Sequence, residues 1–528
     1  MLDRLGSMAR IGLAGSAWAA FSVLATRLAL AAPVVTIDSG QVSGRTEEGV
    51  SAYLGIPYAA PPVGAARWSS PAHPAPWNGV RSAAEFGANC PQVRNDNGLG
   101  PWTPEYLISG PAAEDCLFLN VWTADTAAHR PVLVWVHGGA FTGGSGSVAV
   151  YEGQHLAQQG IVVVTLNYRL GALGFLSAPA LGARSGNYGL LDSIAALQWI
   201  QRNIHSFGGD PARVTIAGQS AGASAVLALL ASPPAKGLFA RAIVESGAGV
   251  FPLGQAPDEA QREGAAFADA KGATTAAALR ALTPDALIAP APAQAPSAPT
   301  PSSVPFRMPY GPIVDGVTVS SDANAGSDVP VLTGFVANEA SAMNPRYGQA
   351  TPATLEDYAK RVFGGDAAAL LTLYPAKNDA TAGEMSKRIP REFGQAGSWL
   401  WARERSKTKH APVYMYMFRH VEPGPESTRY EAFHSCEIPY VFGTLDKGGR
   451  PFVDADRELS RTVMRYWVNF ITGGDPNGAG LPAWPVLDPS APRVLDIDTS
   501  IRAMPLLDES KRAFFSQEVA KGVRPSLL

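Results

Sequence analysis

The chain has 528 residues, 46 % of them hydrophobic and 16 % charged, with a formal net charge of −3. That balance excludes a disordered chain, and it carries no basic footprint for nucleic acid or an anionic membrane surface. The length exceeds that of an ordinary domain, yet large α/β enzymes run as single units, and the pattern below predicts one catalytic domain over residues 32–528.

Residues 1–31 begin with Arg4 and Arg10, continue through an apolar run from Ile11 to Ala25, and end in Ala29-Leu30-Ala31, a small-residue cleavage site. This reads as a secretory signal peptide. Arg27 interrupts the pattern, which leaves an earlier cut open, and Met8 is a second candidate start. The competing reading, a short membrane anchor, meets an apolar run too short to cross a bilayer comfortably. No other stretch approaches that length, so no stable span is expected after cleavage. Export gives the three cysteines a meaning. Cys90 and Cys116, 26 residues apart around a loop rich in Pro, Gly and Asn, are expected to be bonded, and a ring of that size stabilises by about 3–4 kcal/mol. Cys436 is left over, two residues from His434.

Next come runs of Val, Ile and Leu without polar alternation, the mark of strands buried on both faces: "PVLVWVH" (131–137), "GIVVVTLNYR" (160–169), "RVTIAG" (213–218), "ARAIVESG" (240–247), "VPVLTGF" (329–335) and "APVYMYMF" (411–418). Between the second and third lies "LLDSIAALQWIQRNI" (190–204), which has helical periodicity and stops at Phe207-Gly208-Gly209-Asp210-Pro211. Strand, helix, strand in this order predicts an α/β fold: a large, mostly parallel central sheet flanked by helices, with functional residues on loops at the strand C-terminal ends. Residues 289–305, "APAPAQAPSAPTPSSVP", have no periodic apolar face and predict an extended surface loop.

Chemistry enters with "RVTIAGQSAGASAVLALL" (213–230), where Gly218-Gln219-Ser220-Ala221-Gly222 joins a strand to a helix. The five-residue pattern is weak evidence in a chain with 54 glycines. A serine hydroxyl becomes a nucleophile only with a base, an acid that orients the base, and donors ready for the oxyanion. The donors are expected from "VWVHGGAFTGGSG" (134–146), in which a buried-type strand ends in His137-Gly138-Gly139-Ala140-Phe141. Gly139 and Ala140 are the candidates there, with Ala221 from the elbow itself. On such a sheet the acid and then the histidine follow the serine. Of eight histidines, only His410, His420 and His434 lie well downstream. The first two flank a strand, whereas His434 sits in the irregular "YEAFHSCEIPYVFG" (430–443). For the acid, Glu339 follows a buried strand in "VPVLTGFVANEASAM" (329–343), and Asp315 in "PIVDG" competes.

From about Val35 to Pro485 the chain resembles the type-B carboxylesterases, α/β-hydrolases that include cholinesterases, animal carboxylesterases and many bacterial esterases. The resemblance is carried by "YLGIPYAAPPVGAARW" (53–68), "EDCLFLNVW" (114–122), "HGGAF" (137–141), "NYRLGALGFL" (167–176), "GNYGLLDSIAALQWIQRNIHSFGGDPARVTIAGQSAGA" (186–223), "HSCEIPYVFG" (434–443) and "YWVNFITGGDPN" (466–477). It implies Ser220 as nucleophile, Glu339 as triad acid, His434 as base, Gly139, Ala140 and Ala221 as oxyanion donors, and a Cys90–Cys116 disulfide. It also implies a small-molecule ester substrate and an acyl-enzyme intermediate, with no metal or organic cofactor. Two rival readings are an amidase or other acyl-transfer enzyme using the same triad and a non-catalytic adhesion protein of the cholinesterase-like kind. Three positions depart from the pattern. Gln219 stands where many relatives carry Glu, Ala340 where Gly commonly follows the acid, and Cys436 has no expected partner, so that it reads as a buried inert thiol or as a thiol near the gorge.

Overall fold

A computed structural model describes residues 30–94, 98–250, 252–289, 308, 310–322 and 326–524. Residues 1–29, on which the expected signal peptide falls, and the Pro/Ala-rich stretch beyond Ala289 lie outside the described residues.

The strands are β1 Leu30–Ile37, β2 Gly40–Glu47, β3 Val50–Pro57, β4 Val80–Ser82, β5 Phe118–Thr123, β6 Arg130–Val136, β7 Val162–Leu166, β8 Gly209–Gln219, β9 Arg241–Glu245, β10 Val331–Val336, β11 Val413–Phe418, β12 Arg493–Ile497 and β13 Arg502–Pro505. Among the described residues they form one sheet in the order β1-β2-β3-β5-β7-β6-β8-β9-β10-β11-β12-β13, with β4 added beside β2. From β7 through β12 every neighbouring pair is parallel, β1, β2, β3, β5 and β7 pair antiparallel in turn, β4 joins β2 in parallel, and β13 is antiparallel to β12. Each of the six apolar runs supplies one of the central parallel strands. Every residue of β7, β10 and β11 is buried, as parallel strands covered on both faces require.

Helices pack on this centre. Tyr188–Asn203 lies against β8, Asp454–Gly473 against β6 and β8, and Ala221–Leu230, buried at all ten positions, against β6, β8 and β9. One buried ion pair ties the connection after β7 to the Tyr188–Asn203 helix. Arg169 Nε and Nη2 donate to the two Asp192 carboxylate oxygens at 2.8 and 2.7 Å, and the Arg169 backbone N–H donates to Oδ2 at 3.0 Å. Both side chains are almost wholly buried, so each ion depends on the other for its charge compensation.

The Cys90–Cys116 disulfide is present, and it closes a ring that precedes β5. Cys436 is free and buried, and burial holds its thiol well above the ordinary range. No helix of the described residues is long and apolar enough to cross a membrane. Asp192→Ala is expected to cost about 3–5 kcal/mol by leaving Arg169 buried without its partner, read as a lower midpoint in chemical denaturation; an unchanged midpoint would show that the pair contributes nothing.

Candidate active site

The parallel register brings the carboxyl ends of β6, β8, β9 and β10 to one edge. Gly218 aligns with Val136 on one side and Val244 on the other, and Gln219 aligns with Glu245. The Ser220 N–H then donates to Glu245 O at 3.0 Å, just before the Ala221–Leu230 helix begins. At the turn Ser220 has φ 59° and ψ −122°, a conformation in which an ordinary side chain is strained. The turn is also crowded. A Cβ on Gly222 would lie 2.1 Å from Val136 O, and one on Gly218 2.6 Å from the Gly222 carbonyl. Only glycine at both positions lets strand and helix meet this closely.

After β6, the His137–Phe141 loop bends over the elbow. A Cβ on Gly138 would come within 2.6 Å of Gln219 O and 3.3 Å of Ser220 Cβ, so these backbones touch. Ala140 and Phe141 both have positive φ. Among the described residues nothing accepts from the Gly139 or Ala140 N–H, and the Ala221 N–H lies in the first helical turn, where no intrahelical partner exists. The loop is held by two devices. Gln92 exchanges two hydrogen bonds of 2.8 Å with the backbone of Gly144. His137 stacks on Tyr168 with centroids 4.4 Å apart, and its Nδ1–H donates to Gly138 O at 2.8 Å. Burial pushes the His137 imidazole down to about 4, which keeps it neutral.

Glu339, three residues past β10, is 5 % exposed. Its Oε1 accepts from Ser246 Oγ at 2.6 Å and from the Val336 N–H at 3.1 Å, while Oε2 accepts from His434 Nδ1–H. The Asn338 N–H donates to Ala432 O, which fixes the histidine segment beside the end of β10. With its proton on Nδ1, His434 presents a bare lone pair at Nε2. The Gln219 amide N–H2 donates to that lone pair at 3.1 Å, and Gln219 Oε1 accepts from Ser435 Oγ at 3.2 Å. Ser220 Oγ shares the cavity with the imidazole but makes no direct hydrogen bond to it.

The other candidates lie elsewhere. Asp315 is consumed by a turn, accepting from the N–H groups of Val317, Thr318 and Val319 and from Asn187 Nδ2. His420 is bound to Asp456 and Asp498, and the His410 N–H to Asp328. Three contributors to the site carry no motif in the sequence, Gln92, Trp102 and Ser246, and a fourth, Ser435, sits unremarked beside His434 in its motif. A backbone signature does mark the place. Among the described residues, ten non-glycine residues have positive φ, and five of them, Ala140, Phe141, Ser220, Ser246 and Ser435, belong to this site.

The cavity above these groups has a volume of about 400 Å³. Leu99, Trp102, Tyr106, Leu107, Ile108, Val148, Tyr151, Met308 and Met343 supply most of its walls, and no Asp, Glu, Lys or Arg is among the described residues lining it. At its opening Val93 and Leu99 are 68 % and 61 % exposed.

A serine-bearing elbow at the end of a central strand, in a large, mostly parallel sheet flanked by helices, defines an α/β-hydrolase. The carboxylesterase family model matches residues 31–515, and the chain belongs to that family. It is 37 % identical over 478 residues to the fumonisin B1 esterase of Sphingopyxis macrogoltabida, covering 85 % of this chain and 83 % of that protein. It is 35 % identical over 488 residues to the para-nitrobenzyl esterase of Bacillus subtilis (strain 168), covering 89 % and 95 %. Among solved structures, a PNB esterase superposes with a TM-score of 0.73 at 33 % identity, covering 91 % of this chain and 99 % of the other. A thermophilic PNB esterase superposes at 0.75 with 32 % identity and the same coverage. The protein is a carboxylic-ester hydrolase. Gly138→Ala should therefore lower ester turnover about 100-fold, because the new Cβ displaces the backbone beside Ser220; steady-state assay of a folded variant with parental activity would disprove the contact's importance.

Proposed function

We propose that Ser220, His434 and Glu339 are the catalytic triad of an exported esterase, with Gly139, Ala140 and Ala221 donating to the oxyanion, in a single catalytic domain over residues 32–528. The observation that carries this reading is the Glu339–His434 contact, whose imidazole lines the same cavity as the strained Ser220. His434 Nε2 takes the Ser220 proton as Oγ bonds to the ester carbonyl carbon, and the carbonyl electron pair moves onto oxygen, where the three N–H groups meet it. Collapse breaks the C–O bond to the alcohol, which leaves with the proton from His434. Water then attacks the acyl-enzyme by the same steps and frees the acid. For the first transfer the Gln219 amide must yield its place at Nε2, so substrate binding and release of that hydrogen bond are linked.

Export is supported by the charged and apolar order of residues 1–31 and is compatible with the disulfide. For the substrate, the relatives' names span unlike esters, and the cavity is the better guide. Apolar walls without a fixed charge among their described residues favour a neutral ester with an apolar acyl or alcohol group.

Ser220→Ala is expected to lose about 10⁴-fold or more in kcat, and a serine-directed phosphonate should label the Ser220 peptide. Retained turnover, or label on another peptide, would sink the assignment. Gln219→Glu places a carboxylate against the imidazole, which favours the cation and raises the histidine's titration point. His434 must be neutral to act as base, so the acidic limb of the kcat/KM profile should move to higher pH; an unmoved or lowered limb contradicts the proposed role of His434.

A further inference from the structure

Part of the cavity wall belongs to the disulfide-closed ring rather than to the sheet. Leu99, Trp102, Tyr106, Leu107 and Ile108 all lie between Cys90 and Cys116, and the regular structure among them is a single 3-10 turn, Pro104–Tyr106. A segment with so little secondary structure depends on side-chain anchors for its position.

One guanidinium supplies most of them. The Arg450 side chain is 5 % exposed. Its Nε donates to Glu105 Oε1 at 2.7 Å and lies 3.0 Å from Glu422 Oε1. Its Nη2 donates to Thr103 Oγ1 at 2.8 Å and to Pro101 O, and its Nη1 donates to Pro423 O at 3.2 Å. The same cation stands 5.4 Å from the Tyr106 ring centroid and 5.6 Å from that of Phe433, the residue before His434. Tyr106 OH donates to Glu422 Oε2 at 2.7 Å, and Trp102 Nε1–H donates to the His434 carbonyl at 3.1 Å. Arg450 is not among the residues lining the cavity. Its contacts therefore join positions 101, 103, 105 and 106 of the wall to the segments at 422–423 and 433.

We propose that Arg450 is a specificity-determining positioning residue, which fixes the Pro101–Ile108 wall against the histidine segment and so sets the size of apolar group the cavity accepts. The inference rests on reading this cavity as the ester site. Without Arg450, the Glu105 carboxylate, 7 % exposed, loses its counter-charge, Glu422, 1 % exposed, loses its guanidinium partner, and the wall moves off its anchor. Lysine is no substitute, because three donors on one atom cannot span partners that the planar fork reaches together.

The test compares wild type, Arg450→Met, Arg450→Lys and Glu105→Gln in the full chain, using p-nitrophenyl acetate and octanoate. Phosphonate titration counts competent enzyme, so a loss of folded protein does not pass for a change in kinetics. KM for the octanoate should rise about tenfold in both Arg450 variants and less in Glu105→Gln, with kcat for the acetate within about twofold. Amide exchange should quicken over residues 98–108 and stay unchanged over 213–230. An unaltered octanoate-to-acetate KM ratio in variants whose wall exchanges faster overturns the proposal, as does an unaltered wall. If Arg450→Met does not fold, Glu105→Gln decides by the same two readouts. A wild type that turns over no ester would fail the parent reading instead, and the exchange measurement would still decide whether Arg450 holds the wall.

Discussion

The site depends on how closely three stretches of backbone approach one another. The ends of β6 and β8 and the start of the Ala221–Leu230 helix meet with Gly218 and Gly222 against Val136 O, and Gly138 rests on Gln219 O. No side chain larger than hydrogen fits at any of these contacts. That crowding forces Ser220 into its positive-φ turn and raises its side chain above the strand ends, toward the cavity. A flexible turn would spread that hydroxyl over many positions. Here a fully buried helix and two parallel neighbours hold it in one place, so the sheet core carries the strain of the turn.

Around the elbow, the Glu339, His434 and Gln219 side chains are each held by a second group. Glu339 uses one carboxylate oxygen for His434 and the other for Ser246 and the backbone, so its charge is stabilised and its direction set. Glu245, directly behind the elbow, is treated differently. Burial pushes its carboxyl up to about 8, and it receives only the Trp467 indole N–H at 2.8 Å, which leaves it neutral near pH 7. One buried carboxyl thus meets the imidazole, while burial disfavours charge on its neighbour in the fold.

Much of this was legible in the sequence. Unbroken apolar runs mark the parallel strands because a strand covered on both faces has no reason to alternate. The elbow and the glycine loop are local patterns with local causes, and the position of Glu339 just past a buried strand follows from where such sheets open. The choice between Glu339 and Asp315 was not fixed by residue type or order. What separates the two is a contact across 95 residues: Glu339 meets His434, whereas Asp315 spends its oxygens on its own turn. Gln92, Trp102, Ser246 and Arg450 were invisible for the same reason. Each acts through a partner distant in the chain, and nothing in its neighbours announces that partner.

The Cys90–Cys116 ring has a consequence for how the molecule divides its tasks. Ser220, His434 and Glu339 are carried by strand ends and the loops that continue them, whereas much of the apolar wall comes from one short covalently closed stretch. Under the proposed assignment, reactivity and discrimination occupy different parts of the chain. On that assignment, changes within some ten residues of that stretch alter what is admitted, and Trp102, bonded to the His434 carbonyl, is the place where the two parts touch. A protein built in this way meets a new substrate by exchanging its doorway, with the hearth left as it was.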